Sequence, residues 1–154
     1  MRARGLRRLR AGELLALGGA VCVIVSLFLP WYEAPGGALD AWDTFGVALA
    51  LLIVAAASAL VLVVATLAER STALPVAAAV WTTLLGVVAV IAALVRLLER
   101  PEHATSLRAG PWLALAGALA ILAGAWQSMR DERRSLYPPA RPDPSQIGEP
   151  RPRA

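Results

Sequence analysis

Lysine is missing from this chain of 154 residues, cysteine and histidine occur once each, and four long stretches carry no charge. Each absence excludes something. The lone Cys22 rules out an intrachain disulfide and a cysteine-based metal site. Its position inside an apolar run fits a small hydrophobe. The lone His103 has Glu99 and Glu102 nearby, but Pro101 interrupts the turn between them and no second His or Cys completes a ligand set. Asp40 and Asp43 have no nucleophile with its base, phosphate loop or oxyanion donors around them. No catalytic residue, metal or cofactor is assigned, and the chain is read as a non-enzyme.

The charge-free stretches are residues 14–32, 44–68, 71–95 and 109–129. About 20 apolar residues span the hydrocarbon core of a bilayer as a helix. Hydrophobic residues make up 58% of the chain, above the roughly 45–50% of soluble domains. The runs are apolar all round rather than striped, which excludes a water-soluble bundle. The expected architecture is all-α: a transmembrane bundle over 13–130 with helices at about 13–30, 44–68, 73–99 and 110–129. Outer segments fall at 30–43 and 99–110, a basic segment precedes at 1–12, and a Pro- and Arg-rich tail follows at 131–154. The tail has too few apolar side chains to offset ordering entropy, so disorder is expected there. The first run is longer than a signal h-region and ends in Leu29-Pro30-Trp31-Tyr32, a poor cleavage sequence, so it reads as an uncleaved helix. Pro30 ends or bends that helix, and Asp43 or Thr44 is placed to cap the second.

All fifteen basic residues are Arg. With the N-terminus in the cytoplasm, the inner segments hold twelve of them and the outer ones three, a clear positive-inside bias. This predicts an up-down-up-down bundle, N-in and C-in, in the cytoplasmic membrane. Charges in short flanks serve topology and contacts with anionic lipid at the cytoplasmic face, so nucleic acid is not an expected partner. Trp31, Tyr32, Trp42, Phe45 and Trp112 fall at the expected outer interface and Trp126 near the inner one, where amphipathic rings are favoured. Trp81 lies deeper and is expected to pack or to find a hydrogen-bond partner.

Small residues recur at heptad spacing: Gly12, Gly19 and Ser26 in the first helix, Ala79, Gly86 and Ala93 in the third, Gly110, Gly117 and Gly124 in the fourth. Seven residues is close to two turns, so each set makes one stripe, and such stripes let backbones approach in lipid. In an Ala-rich chain heptads also arise from composition, and the all-glycine stripe of the fourth helix stands out. It serves packing within the chain or a face for a second copy.

The outer segments carry opposite charge. Glu33, Asp40 and Asp43 lie in the first; Arg96, Arg100 and Arg108 accompany the second. They are expected to pack as a cap, with Trp31 and Trp42 beneath ion pairs and aromatic packing supplying most of the order, since exposed pairs contribute little. Transport through the bundle lacks the intramembrane ionisable residue that usually marks a path. Ser26, Ser58, Thr66, Thr82 and Thr83 are expected to bond their own helix backbone.

The run Ser26-Leu27-Phe28-Leu29-Pro30-Trp31-Tyr32, with Gly36-Gly37 and Ala41-Trp42-Asp43-Thr44-Phe45, resembles uncharacterised small four-span membrane proteins of high-GC Gram-positive bacteria over roughly a third of the chain. The resemblance implies a fold and a compartment and carries no activity. The function expected is a scaffold or accessory subunit that contacts another membrane protein. The alternative is a small transporter or channel for an apolar or weakly charged solute.

Overall fold

The four charge-free runs are helices in the computed structural model, which describes residues 10–44, 46–68, 73–99, 101–102 and 104–136. Helix α1 is Ala11–Ser26, α2 is Val47–Ala68, α3 is Ala73–Leu98 and α4 is Ala109–Leu136. Residues 47–67, 76–98 and 109–131 are long and apolar enough to cross a membrane, while α1 is shorter at 16 residues.

The ends differ from expectation in readable ways. Helix α1 starts where the Arg10 amide donates to the Glu13 carboxylate at 2.9 Å, one half of a capping box. Beyond Ser26 the chain tightens through three i−3 bonds, from Leu27, Phe28 and Leu29 to the carbonyls of Ile24, Val25 and Ser26. This 3₁₀ turn carries the helical path to Pro30. Helix α2 is not capped by Asp43 or Thr44; its first amides, from Leu49 and Ala50, go to the Gly46 carbonyl. Helix α4 runs seven residues past the expected end at 129, to Leu136. The charged Arg130–Ser135 stretch keeps helix-forming residues and has no proline until Pro138.

The segments expected to lie outside the membrane form an element not expected from the sequence, a three-stranded antiparallel sheet. Strands β1 (Tyr32–Ala34) and β2 (Gly37–Leu39) form a hairpin, and β3 (Ser106–Leu107) pairs on the other side of β1. The register sets Tyr32 opposite Leu39 and Leu107, and Glu33 opposite Ala38 and Ser106. Side chains alternate between faces, so Tyr32, Leu39 and Leu107 turn toward the bundle and Glu33 and Ser106 away from it. Pro35 and Gly36 make the corner, and Gly37 takes φ +130°, a conformation that favours glycine.

Packing is inside-out by the standard of soluble proteins. The core is largely alanine (Ala16, Ala20, Ala55, Ala59, Ala79, Ala93, Ala114, Ala118, Ala125), whereas Val61, Val64, Leu84, Ile91 and Leu119 face outward. Small residues inside and large apolar ones outside suit a bundle whose solvent is lipid, where backbone approach rather than water exclusion holds helices together. Helices α1 and α4 run antiparallel in this way: Gly12 lies on Gly124, and Gly19 on Gly117. Helices α3 and α4 touch where Gly86 meets Leu122. All three heptad stripes face into the bundle, including those of α1 and α3. Helices α2 and α3 are joined by the Thr82 hydroxyl, which donates to the Ser58 carbonyl at 3.1 Å. Thr82 therefore departs from expectation, while Ser26, Ser58, Thr66 and Thr83 bond carbonyls of their own helices. Trp81 is the other departure. It is 65% exposed because Ala79, Thr82, Gly86 and Ala93 occupy the inward phase of α3.

Candidate functional site

One end of the bundle gathers the C-terminal ends of α1 and α3, the N-terminal ends of α2 and α4, and the sheet. Trp31 is its pivot. The residue is 1% exposed, and its amide donates to the Leu39 carbonyl at 2.8 Å. Its carbonyl accepts from the Arg108 amide at 2.9 Å. The indole Nε1 donates to the Ser26 carbonyl at 2.7 Å, a second and shorter bond to the oxygen that the Leu29 amide also reaches. Gly110 at the start of α4 makes room for that indole: any Cβ there would collide with the ring. Glycine at 110 thus serves the tryptophan rather than a helix-helix contact.

Tyr32, fully buried, ties the sheet to α3 through its hydroxyl, which donates to the Arg96 carbonyl at 2.6 Å. Burial raises the phenol pKa, and the nearby Arg96 charge partly offsets that. The Arg96 side chain reaches the other way, with Nη2 donating to the Thr44 carbonyl at 2.7 Å just ahead of α2. Arg96 therefore links three elements without a carboxylate partner among the described residues. The expected ion-pair layer reduces to one pair there, Arg108 with Glu33 at 2.7 Å. The Glu33 carboxylate also accepts from the Ser106 hydroxyl at 3.1 Å. Donation from Arg108, then from Ser106, together with the Arg108 charge, holds the Glu33 carboxyl below its ordinary pKa. The Glu33 carbonyl takes both the amide and the hydroxyl of Thr105, at 2.7 and 2.9 Å.

Asp40 and Asp43 spend their oxygens on one another's backbone. Asp40 Oδ1 accepts from the amides of Trp42 and Asp43, and Asp43 Oδ2 accepts from the Asp40 amide at 3.0 Å. They cap a single turn ahead of α2, which is the structural reason two acids sit three apart. Among the described residues the one ion pair, Arg108 with Glu33, does not lie over Trp42. Trp42 is 46% exposed and tilts against Phe28, ring centroids 6.4 Å apart. Arg100, Phe45 and His103 lie outside the described residues, as do 1–9, 69–72, where a short turn was expected, and 137–154.

Of the expected site residues, Trp31, Tyr32, Glu33, Arg96 and Arg108 come together at this end. Asp40, Trp42 and Asp43 form a neighbouring turn, and Gly117 and Gly124 lie along the bundle against α1. Thr105, Ser106 and Gly46 are participants the sequence reading missed. The alternation through Tyr32-Glu33-Ala34 and the Pro35-Gly36 corner after it were the available signals. Together these contacts fasten the sheet to the ends of the helices. No protein-family model matches the chain, and comparison with curated proteins and with solved structures likewise finds no match.

Proposed function

We propose that this chain is a non-enzymatic four-span membrane protein that presents its sheet-capped end to another membrane protein as a scaffold or accessory subunit. In this reading the helices alternate up and down, both termini lie in the cytoplasm, and the cap faces outward from a bacterial cytoplasmic membrane of the high-GC Gram-positive type. Helix α1 joins the spans once its 3₁₀ extension is included. Sixteen residues at α-helical rise and three at 3₁₀ rise give about 30 Å, the thickness of the hydrocarbon core. Its outward residues Leu14, Leu15, Val21, Ile24 and Val25 are apolar and exposed, as lipid contact requires.

The observation that carries the reading is a fastened cap above a tight seam between α1 and α4. Three hydrogen bonds at Trp31 and one at Tyr32 hold the outer surface in one geometry. Between α1 and α4, backbone meets backbone at the glycine pairs, leaving no width for a solute. A hydrogen-bonded face over a closely packed α1–α4 seam suits contact better than passage.

The test is site-specific photo-crosslinking in native membranes. A photoreactive residue at Ala38 in the cap is expected to capture one defined partner, and the same group at Val61 on α2 is not. Solute or ion flux in vesicles holding the pure protein alone would replace this reading with the transport one.

A further inference from the structure

The end of the bundle opposite the sheet carries two adjoining recesses that share one wall. An apolar groove of about 470 Å³ runs between α3 and α4, lined by Thr83, Val87, Leu119, Leu122, Ala123 and Trp126. A polar recess of about 330 Å³ continues it past Trp126, lined also by Gln127, Arg130 and Asp131. The Thr83 hydroxyl is taken up by the Ala79 carbonyl at 2.8 Å, so little in the groove calls for a polar ligand. Behind it the two helices stay together where Gly86 lies against Leu122.

From this arrangement we infer a site for one phospholipid with an ammonium-bearing headgroup: an acyl chain in the groove, the phosphate on Arg130 and Gln127, the ammonium on Asp131. The inference rests on the bilayer reading above, with this end at the cytoplasmic surface. Length selects a lipid over a helix. Leu119 to Arg130 covers eleven residues, about 16 Å along the axis, or roughly half of the ~30 Å hydrocarbon core. The groove thus serves one leaflet and stops at mid-depth, whereas a docked helix from a second copy would need a face across both. Trp126 stands at the boundary between apolar and polar recesses, the depth its ring prefers. Charge selects the headgroup. Arg130 and Asp131 present opposite signs side by side, matching a phosphate with a neighbouring ammonium. An anionic headgroup without the ammonium would leave Asp131 facing like charge.

The full chain is placed in vesicles of equal parts phosphatidylethanolamine and phosphatidylglycerol, one lipid at a time bearing a photoreactive group on its acyl chain. Labelled residues are then mapped by mass spectrometry. The phosphatidylethanolamine probe should mark Leu119, Leu122 and Trp126 in about fivefold excess over Val61 and Val64 on α2, the ratio one surface charge contact supplies. Ala123→Trp, which fills the groove from an exposed position, should abolish the excess. Asp131→Asn should remove the preference over phosphatidylglycerol while keeping the groove labelled. Equal labelling of the α2 and α3–α4 faces would overturn the site, as would an excess that survives Ala123→Trp or phosphatidylglycerol labelling the wild-type groove as strongly. A chain that takes no label on any helix would overturn the bilayer reading and the lipid site together. Labelling spread evenly over all four helices leaves the bilayer reading standing and removes the site alone.

Discussion

Gly19 and Gly117 face each other across α1 and α4 so closely that a Cβ on Gly19 would lie 2.6 Å from the Gly117 carbonyl oxygen, and one on Gly117 2.8 Å from that of Gly19. The obstruction is backbone, which cannot swing aside as a flexible side chain can. Gly117→Val is therefore expected to destabilise the bundle by about 1–3 kcal/mol through overpacking. Gly18, next to Gly19 on α1, meets nothing within 4 Å. Gly18→Ala should be neutral or stabilising by up to about 1 kcal/mol from helix propensity alone. Denaturant unfolding of the two variants in the same detergent measures the contrast, and equal effects would remove the role given to the glycine pairs.

Trp31 and Tyr32 should outrank Trp42 in holding the cap. Trp31→Ala empties a buried ring site, a change that costs about 3–5 kcal/mol. Tyr32→Phe removes one hydrogen bond to the Arg96 carbonyl and should cost about 0.5–1.5 kcal/mol. Limited proteolysis across residues 30–43 and 101–108 should accelerate strongly for Trp31→Ala and least for Trp42→Ala. The reverse order would return Trp42 to the supporting position the sequence suggested.

Acid should loosen the outer face of the sheet. Glu33 has a depressed folded pKa, so the stabilisation its carboxylate provides is present above the unfolded carboxyl pKa and is lost as pH falls through the lower folded value. A carboxyl NMR titration should place Glu33 below an ordinary glutamate. Arg108→Gln should move it up more than Ser106→Ala, because donation from Arg108 is the larger cause. An unshifted Glu33 in the wild type would mean that the pair does not persist in solution.

Gly37→Ala tests conformation in isolation. A Cβ at Gly37 meets nothing within 4 Å, yet φ is +130°, so any loss comes from backbone strain of about 1–3 kcal/mol. Gly36→Ala, equally open and without that φ, should be milder. Thermal unfolding of both variants decides it.

Four helices and their approximate limits were legible because charge-free length is a signal that composition alone carries. The pairing of Gly12 and Gly19 with Gly124 and Gly117 was half legible: heptad spacing gives a stripe, but nothing in one helix names its neighbour. The sheet was not read, because β3 has two residues and its pairing with β1 joins positions some seventy residues apart. Period-2 alternation over so short a run is easily taken for loop. Asp43 was expected to cap α2, whereas it and Asp40 bond the backbone of a separate turn that precedes that helix. The charge count pointed to an ion-pair layer, but Arg96 donates to the Thr44 carbonyl in the turn ahead of α2, which no tally of opposite charges reveals.

The embrace of α1 by α4 has a consequence for biogenesis. Helix α1 leaves the ribosome before α2 and α3 yet has α4 as its main neighbour, and β3, which finishes the sheet, emerges just before α4. During synthesis α1 must wait with its glycine side unmatched while two other helices are made, so its packing follows the synthesis of α4. Nascent chains arrested before residue 109 would hold all the parts of a hairpin and none of its clasp.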